Sequence, residues 1–94
     1  MTIKKPISGP VVPVGATLVV EITNPYKATV NLEFSPKGNT WAGSGAFTQT
    51  TKGTSSTVNG AKFTSTGPWT VRAYIPNVMP INGGPSVNFV VGSP

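Results

Sequence analysis

The stretch 69–75 reads Trp-Thr-Val-Arg-Ala-Tyr-Ile, with an apolar side chain at every second position. Successive side chains of a β-strand point to opposite faces of the sheet, so this stretch can bury one row of side chains and expose the other. Gly67-Pro68 precedes it and Pro76 follows it, and these residues interrupt regular structure. The pattern predicts a strand over Trp69–Ile75, the strongest in the chain.

Three further segments alternate in the same way, and none of the sequence shows the spacing of an amphipathic helix. These segments are Ala16–Thr23, Ala28–Ser35 and Ser86–Val91. With 11 Gly and 10 Pro, the chain is also interrupted too often for a long helix. The sequence therefore predicts an all-β fold.

The remaining segments carry weaker signals. Residues 1–15 include three prolines, which predict an arm or a short edge strand, where a missing backbone donor does no harm. Weak strands are predicted at Ala46–Thr50 and Ser55–Val58. Asn59-Gly60 is a hairpin signal, which predicts a further strand at Ala61–Thr64 and a hairpin over Thr54–Thr64.

Residues 24–27, which connect Ala16–Thr23 to Ala28–Ser35, are few enough for two outcomes. The two strands can pair as a hairpin, or the chain can step from one sheet to another. Spacing alone does not decide between them.

Length and cysteine content limit how the fold is stabilised. At 94 residues the chain has room for one domain, so we expect a single domain over 1–94 with a single sandwich core. Cysteine is absent, which excludes a disulfide and a thiolate nucleophile or ligand. Stability must therefore come from packing or from a partner.

Residues 67–75, Gly-Pro-Trp-Thr-Val-Arg-Ala-Tyr-Ile, followed by a loop and the short strand Val87–Val91, resemble the C-terminal half of immunoglobulin-like and fibronectin type III-like sandwiches. The resemblance implies an immunoglobulin-like β-sandwich of about seven antiparallel strands. The family's cysteine pair is absent, and Trp69 stands where the corner tyrosine is expected, so a jelly roll or a small β-barrel remains the alternative. The chain is similar to small cysteine-free modules of this kind in tailed-phage virion proteins, where they decorate capsids and tails, and in bacterial surface proteins.

The chain has few side chains of the types that carry out catalysis. General acid–base and nucleophilic catalysis usually need His, Asp, Glu, Lys or Cys held near a partner, and this chain has no His, Cys or Asp. Glu21 and Glu33 lie on the polar rows of two predicted strands; if those strands were neighbours, the carboxylates could face one another, as in glycoside hydrolases. We expect no enzymatic activity, no cofactor and no metal.

The net charge of +5 does not by itself indicate nucleic-acid binding. Apart from Lys4-Lys5, the positive residues stand singly in the sequence, whereas phosphate binding is collective. Nucleic acid is therefore an unlikely partner. No run is long and apolar enough for a signal peptide or a membrane helix, so we expect no membrane partner.

The candidate partner contacts are residues whose chemistry suits a protein interface and whose predicted position is exposed. They are Lys4, Lys5, Tyr26, Trp41, Val78, Met79 and Ile81. The last three belong to a loop in which apolar residues either plug the end of the sandwich or form a knob for a partner. Alternatively, Trp41, Tyr26 and Tyr74 form a stacking platform for sugars.

The lack of catalytic groups favours a non-enzymatic structural binding module, and the resemblance implies a virion decoration or capsid-associated protein that docks on a repetitive protein lattice. Synthesis in the host cytoplasm and location in the virion follow from this interpretation. The main alternative is a carbohydrate-binding or adhesin-type module. A third is an immunoglobulin-like protease inhibitor of the chagasin type, which Asn24-Pro25 and Gly67-Pro68-Trp69 match only in fragments.

Overall fold

The alternating stretch 69–75 forms most of β7 (Gly67–Tyr74) in the computed structural model, which describes residues 1–6, 11–24, 28–36, 47–78 and 83–92. β7 lies in the middle of a five-stranded sheet, where Trp69, Val71 and Ala73 are fully buried. The other row of side chains points away from the core, as the two-residue period requires.

Seven more strands and one short 3₁₀ turn, Gly60–Lys62, make up the rest of the described structure. The strands are β1 (Thr2–Lys5), β2 (Val11–Pro13), β3 (Leu18–Thr23), β4 (Val30–Pro36), β5 (Phe47–Thr51), β6 (Ser55–Val58) and β8 (Ser86–Gly92).

The strands form two sheets, with the orders β1-β3-β6 and β2-β8-β7-β4-β5. All neighbouring strands are antiparallel except β2 and β8, which are parallel. The two sheets pack face to face, so the predicted all-β class is confirmed and the molecule is a small β-sandwich. Eight strands lie within the described residues, and two short ones, β1 and β2, come from the N-terminal arm.

The core lies between the two sheets and draws on both. Leu18 and Val20 come from the smaller sheet, while Val30, Trp69 and Phe89 come from the larger one, and all five are buried. Five aromatic rings fill one end of this core through stacked and edge-to-face contacts. They are Phe34, Phe47, Phe63, Trp69 and Phe89.

The structure decides the open question about residues 24–27. β3 pairs with β1 and β6, whereas β4 pairs with β5 and β7, so the chain steps from one sheet to the other. The Asn24 side chain donates a hydrogen bond to the Ala28 carbonyl (2.9 Å), which joins the two ends of this connection.

The weak strands at 46–50 and 55–58 are confirmed as β5 and β6, but the predicted strand at Ala61–Thr64 and its hairpin are wrong. The Asn59 side chain accepts the Ala61 N–H (2.9 Å), and the Phe63 N–H reaches the Gly60 carbonyl (3.1 Å). Asparagine and glycine here begin a 3₁₀ turn, because the asparagine oxygen caps the turn. β6 therefore pairs with β3 and not with the residues that follow it.

The N-terminal arm divides between the two sheets, as edge strands of each. β1 pairs with β3, and β2 pairs with β8. The Val14 N–H donates to the Gly92 carbonyl (2.9 Å), and N–H directions alternate along a strand, so Pro13 stands where a donor would face the open edge. The predicted edge position of this proline-rich segment is confirmed.

The open edge of β6 is closed by side chains from β5. The Ile22 N–H donates to the Thr54 carbonyl (2.7 Å), so this carbonyl faces β3. Because carbonyl directions alternate along a strand, the Ser55 and Thr57 carbonyls face the opposite, open side of β6. Thr51 Oγ1 donates to the Ser55 carbonyl (2.8 Å), and Gln49 Nε2 donates to the Thr57 carbonyl (2.7 Å). These bonds occupy acceptors that would otherwise be available to a strand of another molecule.

We expect the double substitution Gln49→Ala with Thr51→Val to promote self-association, because it frees both carbonyls of this edge. Sedimentation velocity at increasing protein concentration should show oligomers that the wild type lacks, with a stability loss of about 1–3 kcal/mol. Thr48→Val is the control, since Thr48 lies exposed on the same strand. A double variant that stays monomeric at concentrations near its solubility limit would contradict this role.

Candidate docking end of the sandwich

The strand registers bring several connections to one end of the sandwich. Thr2 pairs with Thr23 at the end of β3, and the Ile22 N–H bonds to Thr54 beside the β5–β6 turn. In the other sheet, Val30 at the start of β4 pairs with Thr51. β7 ends beside the start of β4. We call this region the Val78 end and define it by Lys4, Asn24, Lys52, Thr54 and Val78.

Val78 is held in solvent by a defined turn. The Val78 N–H donates to the Ile75 carbonyl (3.3 Å), and Asn77 adopts a φ of 65°. Proline followed by asparagine with positive φ is typical of a type II turn. Ile75 anchors the turn in the core, while Val78 is 80% exposed, the highest value among the large apolar residues described. For Val78 this exposure agrees with a knob and not with a plug; Met79 and Ile81 of the same loop lie outside the described residues.

A groove of about 600 Å³ opens at the same end, between β1 and the end of β3. Its walls are Met1, Lys4, Glu21, Ile22, Thr23, Asn24 and Thr54. The pairing of β1 with β3 slips between Ile3 and Lys5, so Lys4 is the additional residue of a β-bulge. Bulges redirect side chains at sheet edges, and this one gives Lys4 a place in the groove wall.

The charged side chains of this end are exposed lysines and one glutamate. Lys5 Nζ lies 3.4 Å from a Glu21 carboxylate oxygen, with both side chains substantially exposed. A surface pair of this kind contributes at most about 1 kcal/mol. Lys4 and Lys52 are exposed as well, and no ion pair to either is found among the described residues. The pairing of β1 with the end of β3 places Lys4 and Lys5 at the same end as Val78.

Four of the predicted contacts, Tyr26, Trp41, Met79 and Ile81, lie outside the described residues. Tyr26 and Trp41 are also two of the three rings of the sugar-platform alternative; the third, Tyr74, is half-buried at the end of β7.

The two glutamates do not form a facing pair, so that condition for a glycosidase-like arrangement fails. β3 and β4 belong to different sheets, and Glu21 and Glu33 lie on their outward rows. Because packed sheets are about 10 Å apart, outward carboxylates are separated by more than the roughly 5–9.5 Å that glycosidases use. Among the described residues no group of three His, Cys, Asp or Glu side chains could hold a metal ion.

The prediction that Glu33 lies on an exposed polar row is also wrong. Glu33 is only 4% exposed, and its strand neighbours are Thr48 on β5 and Arg72 on β7. Side chains from both neighbouring strands flank Glu33 on the outer face, so this face is covered here. Ser35 on the same strand is buried too.

Sequence reasoning missed an apolar row on the outer face of the larger sheet. Val11, Val90 and Pro68 lie side by side on β2, β8 and β7, and all three are exposed, Val11 by 65%. One signal was available, since Phe89-Val90-Val91 breaks the alternation and must send one of its apolar residues outward. The partner strand of Val11 could not be read from the sequence.

The comparisons with known proteins add no relative: no family model matches the chain, and no curated protein or solved structure gives a significant match. Within the part of the chain that the structure describes, no helix has the length and apolar character needed to span a membrane.

Proposed function

We propose that this chain is a non-enzymatic structural binding module that docks through its Val78 end on another protein. The observation that carries the proposal is the exposure of Val78 on a turn whose backbone is fixed by Pro76 and Asn77. Single exposed apolar side chains are common on protein surfaces, and Val78 is distinguished by its 80% exposure on a turn of defined backbone. Because the turn is preformed, little conformational entropy is lost when a partner covers it.

We further propose an immunoglobulin-like topology for the sandwich. In immunoglobulin constant domains, strands A, B, E and D form one sheet and C, F and G the other; variable domains add strands to the second sheet. β1, β3 and β6 occupy the positions of A, B and E, while β4, β7 and β8 occupy those of C, F and G. β5 then stands beside β4 like the additional strand of a variable domain. This correspondence supports the assignment.

The kind of assembly we propose is a virion, with the chain as a decoration or capsid-associated protein. Val78 and the lysines of the same end offer a small contact surface, and a contact of this size gives only weak binding on its own. A repetitive protein lattice offers the same site many times, so a small module can be held by several neighbouring contacts. The module requires no cysteine for its stability, which suits assembly in a reducing compartment.

The substitution Val78→Ser tests the docking role. Particles are isolated by gradient centrifugation from cells that produce the protein, stripped of it, and titrated with purified protein in a co-sedimentation assay. We expect wild-type protein to saturate the particles and V78S to bind roughly ten-fold more weakly, since an apolar anchor contributes about 1–2 kcal/mol. The fold should be unaffected, because Val78 contributes little to the core.

Val19→Ser is the matched control, because Val19 is also exposed but lies on the outer face of the smaller sheet. V19S should bind as well as the wild type. Absence of the protein from every particle fraction would overturn the virion proposal, and equal binding of V78S and wild type would overturn the use of the Val78 end.

A further inference from the structure

We propose that the partner surface received by the Val78 end is an acidic protein surface, with Lys4 and Lys52 supplying the complementary charge around the apolar anchor. This inference rests on the docking function proposed above and names the chemistry of the partner.

The charges of the chain are distributed unequally between surface and interior. Seven Lys and Arg residues stand against two Glu and no Asp. One of the two acidic side chains, Glu33, is 4% exposed, and the other, Glu21, is paired with Lys5. Neither glutamate therefore offers an exposed, unengaged carboxylate to a partner. A partner can gain attractive charge contacts with this protein only by bringing negative charge itself.

The topology places much of the positive charge at one end. Lys4 and Lys5 lie on β1, and Lys52 lies in the turn between β5 and β6, all at the Val78 end. Lys62, in contrast, follows β6 at the opposite end, where its Nζ lies 5.7 Å from the centre of the Phe47 ring. An apolar side chain at the same end as exposed lysines matches a partner surface that combines acidic residues with a hydrophobic depression.

A second copy of the chain is a poor occupant of this end. Two copies would bring net charges of +5 together with no exposed free carboxylate to compensate either of them. Like-charge contacts of this kind cost several kcal/mol across an interface. Nucleic acid supplies negative charge, but its backbone provides no apolar pocket for Val78. An acidic protein surface satisfies both the lysines and the valine.

The test uses a defined acidic peptide as the probe. It has blocked ends and ten glutamates around one leucine; the control peptide replaces every glutamate by glutamine. In ¹⁵N-HSQC titrations we expect the acidic peptide to shift the amide signals of Lys4, Lys52, Thr54 and Val78, with no comparable effect at Lys62. Raising the salt from 50 to 300 mM should weaken binding several-fold, because exposed charges are screened.

Two variants of equal charge separate a defined site from general attraction. Lys52→Gln should weaken peptide binding about three-fold, as expected for one exposed ion pair of roughly 0.5–1 kcal/mol. Lys62→Gln removes the same charge from the opposite end and should change binding by clearly less. Equal effects of the two variants, or equal binding of the glutamine peptide, would overturn the inference.

A short DNA duplex tests the competing class of partner. If the duplex shifts the same amides at lower concentration than the acidic peptide does, the acidic-protein inference is overturned in favour of nucleic acid. These outcomes are independent of the particle assay, in which failure of the docking function appears as loss of co-sedimentation. The inference can therefore fail while the docking function stands, and the reverse also holds.

Discussion

Trp69→Ala should unfold most of the protein at room temperature in moderate urea. Trp69 is fully buried. The centre of its ring lies 5.2 Å from the centre of the Phe63 ring and 6.2 Å from the centre of the Phe47 ring. Its indole N–H donates to the Ser65 carbonyl (2.8 Å). Removing a buried aromatic ring of this size costs about 3–5 kcal/mol, which is a large share of the roughly 5–15 kcal/mol that stabilises a domain.

Trp69→Phe separates the ring from its hydrogen bond. The phenyl ring keeps most of the packing, but it leaves a small void and removes the donor to the Ser65 carbonyl. We therefore expect the free energy of unfolding to fall by about 1–2 kcal/mol. Urea unfolding followed by far-UV circular dichroism measures both variants, because the fluorescence of the substituted tryptophan is lost. A cost below about 1 kcal/mol for W69A would mean that the aromatic cluster does not support the core.

Trp69 also illustrates how much of the fold the sequence predicts. A two-residue alternation carries the information for burial, and it correctly assigns Leu18, Val30, Trp69 and Phe89 to the core. It contains nothing about which strands are neighbours. The step of the chain from β3 to β4 between sheets follows from the pairing of β3 with β6 and of β4 with β7, contacts between distant parts of the sequence.

Glu33 shows where the alternation rule misleads. The rule assigns outward residues to water, and this holds for strands at an edge, such as Thr48 and Thr50 on β5. β4 lies between β5 and β7, so the outward side chains of β4 have neighbours on both sides. Burial on the outer face therefore depends on which side chains flank a residue on the neighbouring strands, which a single sequence does not reveal.

The candidate site is predicted less fully than the fold, for a similar reason. The sequence identifies Lys4, Lys5 and Val78 as candidate contacts but leaves their mutual positions open. Their common end depends on the registers of β1 with β3 and of β4 with β7. The exposure of Val78 depends on the left-handed backbone of Asn77, which the Pro-Asn pair permits but does not require.

Gly60→Ala is expected to be the most destabilising change of a single methyl group in the described part of the chain. A Cβ atom at Gly60 would lie 2.0 Å from the Ala16 carbonyl oxygen and 2.6 Å from the Ala16 nitrogen. Both are backbone atoms, so no side-chain rotation relieves the clash. Ala16 is itself fixed, because its N–H donates to the Pro13 carbonyl (3.1 Å) in the turn between β2 and β3.

The added methyl group must therefore push apart the 3₁₀ turn and the β2–β3 turn, which close the same end of the sandwich. Overpacking against rigid neighbours costs about 3 kcal/mol or somewhat more here, and each kcal/mol lowers the melting temperature of a domain of this size by about 4–8 °C. We expect thermal unfolding of G60A at least about 12 °C below the wild type. Gly53→Ala is the control, since its Cβ would meet no atom within 4 Å, and it should remain within about 0.5 kcal/mol of the wild type. Equal melting temperatures for G60A and G53A would show that the two turns do not meet at Gly60, and the closure of this end would then need another explanation.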